Sequence, residues 1–517
     1  MYFNTVFLSI KLTLRKLLFI GAVCMSITRR SFLGALSGFV SFGCQAVCPN
    51  PDETFDLIVV GSGVAGLTTA VIAAESGIRR VVVLEKQPLL GGTSIICEGN
   101  WSISETIFQK DAGIIDSNDS FYEDMLIAGR RTNKPELVRA MIDAGRQQFE
   151  WTVAGGVRPT AVGVNSGLRI PRAHKFNPVE VISHLRQCAK KLGVKIQTAV
   201  RVEELVGSHN SGVLGVRVSS AAGKCCIWAT KCVVLATGGF ARNRVLLSRY
   251  APKLLNAPCL ASIGATGDGL RLAEPFDPSL RDMNNLQAAY AFIPNPSSIR
   301  DMTHIFYGGA VAVNKWGRRF TDESQAYFHT AEAAIDQADA MTFLVFDEKI
   351  RRNQMSRRAV DLALLKPFDE VKAPPYLLVG DTLKLAAEKA RIPAEILIET
   401  IGEYNHDITT LGRDSLFGRT SLDCGVGNLV TINTPPFFVM PVVPAFLGTY
   451  CGLEIDESAR VLDKNGIPIK GLLAAGEVTG GLHGNGSVGG AHYGAAHAFG
   501  RIAGLTAAQL PSRKVFS

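Results

Sequence analysis

One tyrosine stands in the stretch RRFTDESQAYFHTA, residues 318–331, among charges and small polar groups. A phenol, with a pKa near 10, can lend a proton unaltered, but it takes one only if its phenolate is stabilised. A strand end running into a helix start would look the same with no chemistry in it. Tyr327 is therefore either a proton carrier or a packing residue, and the groups around it decide which.

A second set of residues implies a ligand. FDLIVVGSGVAGLTTAVIAAESGIRRVVVLEK, residues 55–86, reads as an apolar strand, a glycine turn, a helix ended by Gly77, and a second strand closing on Glu85. Gly61 permits the tight turn, Gly63 lets the backbone approach a pyrophosphate, and Gly66 lets helix and strand pack closely, while the helix N-terminus offers amide donors. Glu85, 19 residues past Gly66, can accept hydrogen bonds from ribose hydroxyls. The ligand implied is a dinucleotide.

Two further segments, CVVLATGGF at 232–240 and GLLAAGEVTGG at 471–481, are apolar strands ending in Gly or Thr-Gly, and GGTS at 91–94 follows the acidic strand. Together these resemble the FAD-binding domain of the fumarate reductase and succinate dehydrogenase flavoproteins, from about residue 54 to the FGRIAG helix near residue 504. The resemblance implies FAD contacts at Gly61, Gly63, Ala65 and Gly66, then at Glu85 and Lys86, and at Gly92, Thr93 and Ser94. It adds Ala236, Thr237, Gly238 and Asp268 in mid-chain, and Gly476, Glu477, Ser487 and Val488 near the end. Members that bind flavin covalently carry a histidine where this chain has Thr93, so FAD is expected to be held without a covalent bond.

The order of these pieces gives the expected fold: α/β, with a discontinuous Rossmann-like FAD-binding domain and an inserted α+β capping domain. The first FAD part spans 54–285, the cap 286–440 and the second FAD part 441–510, with the turn-rich runs PNPSS, KPFDEVKAPPY and NTPPFFVMP as boundaries. A pocket between two domains is a usual place for a small ligand.

Soluble fumarate reductases hold a dicarboxylate with several cations, one of which, an arginine, gives the proton. At the matching positions this chain has Phe306, Tyr327, a GTYCGLEID run (448–456) in place of a His-His element, and Ser487. An isolated carboxylate in a dry pocket costs several kcal/mol unless paired, and a bidentate arginine is the usual partner. The expected ligand is therefore neutral at its reacting end. Arg318, Arg319, Arg351 and Arg352 read as solvated or structural, and Arg172 and His174 in IPRAHKF as architectural.

In the position of Tyr327, RRFTDESQAYF resembles the 3-ketosteroid dehydrogenases, a branch of the same superfamily in which that tyrosine is a catalytic acid or base. The resemblance implies hydride exchange at flavin N5 with an enone or ketone. Phe306, Tyr450 and Tyr493 are substrate-contact candidates, and Tyr290 and Tyr307 lie in segments directed at the flavin; that branch's paired tyrosine and glycine near the C-terminal flavin loop are not cleanly matched, with Ser487, His492 and Tyr493 as candidates for their place, and His483 reads as a brace of the glycine loop. Two other readings stay open: a fumarate reductase-like enzyme for unsaturated acids, and a flavoprotein electron carrier without its own substrate.

The 517 residues, 47% apolar and 19% charged, are ordinary globular material. Five of the positive charges behind the net +8 precede the first acid, Asp52, so the rest of the chain carries only +3 and nothing suggests nucleic acid. Eleven cysteines show no CxxC pair and no CxxCH site, so zinc and built-in haem are not indicated, and electrons would pass through a separate cytochrome or quinone. Cys225 and Cys226 read as half-buried strand residues.

MSITRRSFLGALSGFVSFGCQAV, residues 25–47, has the order of a secretory leader, and Thr28 to Leu33 resembles the twin-arginine export signal, which implies a periplasmic destination. The leader is read as 25–50, with Met25 as an alternative start and residues 1–24 too broken by Lys11, Arg15 and Lys16 to span a bilayer. Cys44 follows Gly43, but Ser41 stands where a lipidation signal usually has leucine.

Overall fold

The computed structural model describes residues 53–284, 288–370 and 374–514. The leader, the Met25 start and Cys44 lie outside the described residues.

Strand β1 (Glu53–Val60) is flanked by parallel partners on both sides. Its run DLIVV is apolar almost throughout because both faces are covered, as in parallel sheets generally. Helix α1 (Val64–Glu75) follows at once, buried from Val64 to Ala73. β2 (Val81–Leu84) returns beside β1 with Leu57 opposite Val81 and Val60 opposite Leu84. Helix α2 (Pro135–Ala154) then leads by way of other elements to β3 (Lys195–Gln197), parallel to β2. An antiparallel meander of β4 (Arg201–Ser208), β5 (Gly212–Ser220) and β6 (Gly223–Leu235) brings β6 alongside β1, with half-buried Cys225 and Cys226 on it.

The stretch expected to form the cap carries a second, antiparallel sheet. Its strands are β7 (Ala288–Phe292), β8 (Val311–Val313), β9 (Thr342–Asp347), β10 (Leu378–Gly380) and β11 (Phe437–Phe446), with β11 paired to β7, β9 and β10. Helix α3 (Tyr327–Ile335) lies between β8 and β9 in the chain. The NTPPFFVMP run turns only as far as Pro436. From Phe437 it becomes a long strand, because Phe438, Val439, Met440 and Val442 are buried in the cap core.

The chain then closes the first sheet with β12 (Arg460–Leu462) and β13 (Pro468–Ala474), giving the order β12-β13-β6-β1-β2-β3. It ends in helix α4 (Ala491–Gln509), which lies on α1 through glycines: a Cβ at Gly500 would stand 2.6 Å from the Ala65 carbonyl oxygen, and one at Gly504 2.8 Å from that of Thr69.

One hydrophobic core surrounds the parallel sheet and a second fills the cap. The second also takes in Phe240, Leu247, Leu254 and Tyr450, so cap-side packing reaches beyond residues 286–440 on both flanks. No helix among the described residues is long and apolar enough to cross a membrane.

Candidate active site

The parallel strands β1, β2, β6 and β13 all end at one edge, and a cavity of about 480 Å³ opens there. This is the crevice at the carboxyl ends of an open α/β sheet, where ligands bind. Gly61 and Gly63 come from the end of β1, Glu85 and Lys86 from β2, Ala236, Thr237 and Gly238 from β6, and Gly476 and Glu477 from β13.

The turn after β1 tolerates no side chain. Gly61 has φ +108°, and a Cβ there would sit 2.2 Å from the Ala236 carbonyl oxygen; one on Gly66 would be 2.0 Å from the Gly61 carbonyl oxygen. Gly63, by contrast, has no such clash: a Cβ there would meet Ser94 Oγ at 3.4 Å and the Gly91 carbonyl oxygen at 3.8 Å, ordinary contact distances. It begins α1 with no side chain of its own to cap the helix; the Val64 N–H donates to Ser94 Oγ at 3.2 Å, and the other first-turn amides, which have no intrahelical acceptors, suit a phosphate. Glu85 accepts from Ser62 N at 3.0 Å, from Ser62 Oγ at 2.6 Å and from Gln87 N at 2.8 Å. A carboxylate has further lone pairs for ribose hydroxyls. Lys86 Nζ is tied to Asp268 at 2.8 Å and to Thr266 at 2.6 Å. The donors, the helix N-terminus and the glycine cradle thus fit an FAD, whose pyrophosphate Gly63, Ala65 and Ser94 would hold, and whose ribose Glu85 would hold. Thr93 Oγ1 accepts from Ser262 N at 3.4 Å.

The other end of the cavity is lined by Tyr327, Tyr450, His483, His492 and Tyr493, with Cys97 and Glu98. Tyr327 is the first residue of α3, and its N–H donates to Ser166 Oγ at 2.9 Å. Ser166 Oγ lies 2.8 Å from the Tyr307 hydroxyl, which donates to the Gln325 carbonyl at 2.8 Å. The backbone of Tyr327 is therefore pinned from two segments. Burial pushes its hydroxyl well up, with Glu98 adding to the effect, so the phenol keeps its proton. Burial likewise raises Tyr450 and Tyr493.

Glu477 accepts from the Thr449 N–H at 2.8 Å, and Gly239 and Gly448 give it room: a Cβ on either would come within 2.7 Å of Glu477 Oε1. Burial lifts its carboxyl to about 7, against hydrogen bonds from Thr449 and Gly239 that lower it.

Among the described residues lining the cavity none is arginine, and Lys86, paired to Asp268, is the one lysine. Both imidazoles are neutral, since burial holds His483 down at about 3 and His492 well below the usual range. The arginines of the neighbouring cap segments point elsewhere. Arg319 is buried against Glu323 and Asp414, and Arg351 against Glu348 and Asp369. Arg419, which sequence reading passed over, pairs with Glu323 at 3.0 Å and donates to the Phe306 carbonyl at 2.9 Å. Arg172 is fully buried between Asp116 and Asp124, and His174 lies 2.7 Å from Thr106 Oγ1; neither lines the cavity.

Several residues expected at the site are not brought to it. Phe306 lies in the cap core, its ring 4.2 Å from Tyr307 and 5.5 Å from Tyr290, because its turn is held from behind by Arg419. Tyr290 spends its hydroxyl on Thr342 Oγ1 at 2.9 Å. Ser487 is buried one layer back with Oγ 3.0 Å from His483 Nδ1, Val488 packs against Gly167, and Gly66 serves the helix–strand contact. Ser166 was missed because nothing in its own segment marks it; its partners are 141 and 161 residues away.

The family described as FAD binding domain matches residues 56–492. This chain belongs to it. The protein is accordingly an FAD-dependent oxidoreductase of the fumarate reductase/succinate dehydrogenase flavoprotein superfamily. It is 30% identical over 470 residues to the probable fumarate reductase Ifc3 of Shewanella frigidimarina, covering 90% of this chain and 76% of that one. The open conformation of a flavocytochrome c3 fumarate reductase superposes with a TM-score of 0.70 at 29% identity, over 94% of this chain and 81% of that chain. A 3-ketosteroid-delta4-(5alpha)-dehydrogenase from Rhodococcus jostii superposes with a TM-score of 0.74 over 90% and 99%; at 23% identity that shows the shared fold of the flavoprotein.

Proposed function

We propose that this flavoprotein reduces the C=C bond of a neutral enone, with FAD held non-covalently and Tyr327 as the proton donor. The observation that carries the reading is the cavity wall: a neutral phenol, neutral imidazoles and no arginine. A carboxylate placed there would lack the counter-charge whose absence costs several kcal/mol. A ketone oxygen needs only a hydrogen-bond donor.

Bound FAD supplies hydride chemistry at its isoalloxazine ring. The chain's own part is to bind the carbonyl, which makes the β-carbon electrophilic, and to deliver a proton to the α-carbon from the Tyr327 hydroxyl. Burial keeps that hydroxyl protonated, the form that can donate, while making it a weaker acid than an ordinary phenol. Relatives named as fumarate reductases support the C=C class, while the cavity wall argues for a different substrate within it. Export through the twin-arginine route to the periplasm, and a separate cytochrome or quinone as electron partner, belong to the same proposal and rest on the sequence around Thr28 to Leu33 and on the absence of a CxxCH site.

Replacing Tyr327 with Phe is expected to leave flavin content and absorbance intact and to lower enone turnover by ~100-fold or more. Equal turnover in wild type and Y327F would remove Tyr327 from the mechanism. A panel in which unsaturated acids, and not enones, reoxidise the reduced flavin would overturn the substrate class.

A further inference from the structure

Two imidazoles nine residues apart in the chain touch at the cavity wall. His492 Nδ1 lies 2.9 Å from His483 Nε2, and His483 Nδ1 lies 3.0 Å from Ser487 Oγ. Two uncharged rings share one N–H between them, and each carries one proton in all. Ser487 sets which way they face. Its hydroxyl lies 3.0 Å from His483 Nδ1 and 3.4 Å from the Val488 carbonyl; that carbonyl already accepts from the Ala491 N–H at 3.2 Å, so a hydroxyl that donates to His483 Nδ1 strands no backbone acceptor. His483 then carries its hydrogen on Nε2 and donates to His492 Nδ1. His492 must carry its own on Nε2.

That last N–H has no acceptor among the described residues: His492 Nε2 is buried and unpartnered. The ring itself is fixed. It stacks on Tyr450 at 3.5 Å with planes 14° apart, and Phe328 meets it edge-on at 5.8 Å. Its side chain lines the same cavity as Tyr327 and Tyr450. A buried donor left without an acceptor is unfavourable, and a guest in that cavity with an oxygen lone pair relieves it.

We propose that His492 grips the substrate's carbonyl oxygen as a neutral N–H donor, with its tautomer set by the Ser487–His483 pair. The assignment rests on the enone reading given above. It also sharpens that reading, because an uncharged donor polarises a ketone without offering the counter-charge a carboxylate requires. Ser487 and His483 act as positioning residues, since neither reaches beyond the relay.

The test uses FAD-loaded wild type, H492F, H492N, S487A and Y493F. Cyclohexanone, which has the carbonyl but no C=C, is titrated calorimetrically, and 2-cyclohexenone turnover is followed in parallel. H492F, which keeps the stack on Tyr450, is expected to bind cyclohexanone ~10-fold or more weakly and to raise KM for cyclohexenone at unchanged flavin content. H492N, which retains an amide N–H, should recover part of the loss, and S487A should weaken binding in the same direction even if H492F folds poorly. Wild-type-like ketone binding by both H492F and S487A, beside an active wild type, would overturn the assignment while leaving the enone reading standing. So would a loss confined to Y493F, whose hydroxyl is also unpartnered. A wild type that neither binds cyclohexanone nor reduces cyclohexenone would bring down the enone reading and His492 with it.

Discussion

The Glu477 carboxylate takes a hydrogen bond from the Thr449 N–H at 2.8 Å, yet burial outweighs that bond and lifts its pKa to about 7. A group that holds its proton more tightly folded than unfolded stabilises the fold while both states are protonated. That contribution is lost as pH rises from the ordinary 4.5 through about 7, because there the unfolded chain releases the proton first. The melting temperature of the FAD-free protein should therefore fall between about pH 4.5 and pH 7 for this reason, and E477Q, which cannot ionise, should flatten that part of the profile. A profile identical in both proteins would assign the slope to other groups. The same desolvation acts on Tyr327, Tyr450, His483 and His492. Each side chain answers it by staying uncharged, which is why the site suits a neutral guest.

At the scale of elements, the site depends on one pinch between β1, α1 and β6. Gly66 on α1 touches the Gly61 carbonyl, and Gly61 in turn touches the Ala236 carbonyl after β6. A methyl group at Gly66 has only backbone to displace, so G66A should cost ~1–3 kcal/mol or more by overpacking and should lose FAD, seen as a lower ratio of flavin to protein absorbance after purification. G402A is the control, since a Cβ at Gly402 meets nothing within 4 Å and Gly402 does not line the cavity. This pinch was legible in the sequence because strand, glycine turn and helix are adjacent and each follows its own period. The four strand ends were legible for the same reason: each apolar run stops at a glycine or an acid that faces the cavity. What lies across the sheet from its partners was not legible. The pinning of Tyr327 by Ser166 links residues 161 apart, and Phe306 turns into the cap because Arg419, 113 residues on, holds its carbonyl. A motif gives a residue its neighbours along the chain; it does not say which way a distant segment will aim it.

Over the whole molecule, charge is abundant but committed. The net +8 is the balance of 54 basic against 46 acidic residues, and the buried arginines Arg172, Arg319, Arg351 and Arg419 are each paired with a carboxylate that does not line the cavity. Arg419 shows what this arrangement does. It shares Glu323 with Arg319 and donates to the Phe306 carbonyl, so it braces the cap sheet behind the site without lending it charge. Removing one partner of such a pair strands the other, and R419A should destabilise the fold by roughly 3–5 kcal/mol, measured by denaturant titration, while any protein that still folds keeps its preference for neutral ligands. That preference is the molecule-scale consequence. With Lys86 paired to Asp268, the tyrosine- and histidine-lined end of the cavity offers an anion only neutral donors among the described residues, and several kcal/mol of unpaid desolvation corresponds to a discrimination of ~100-fold or more. Calorimetric titration of the FAD-loaded enzyme with fumarate and with 2-cyclohexenone should show that gap, and the enone's affinity should be indifferent to salt, since no ion pair is formed to be screened. Fumarate binding as tightly as the enone, and weakening as salt is added, would mean that a cation reaches the site after all.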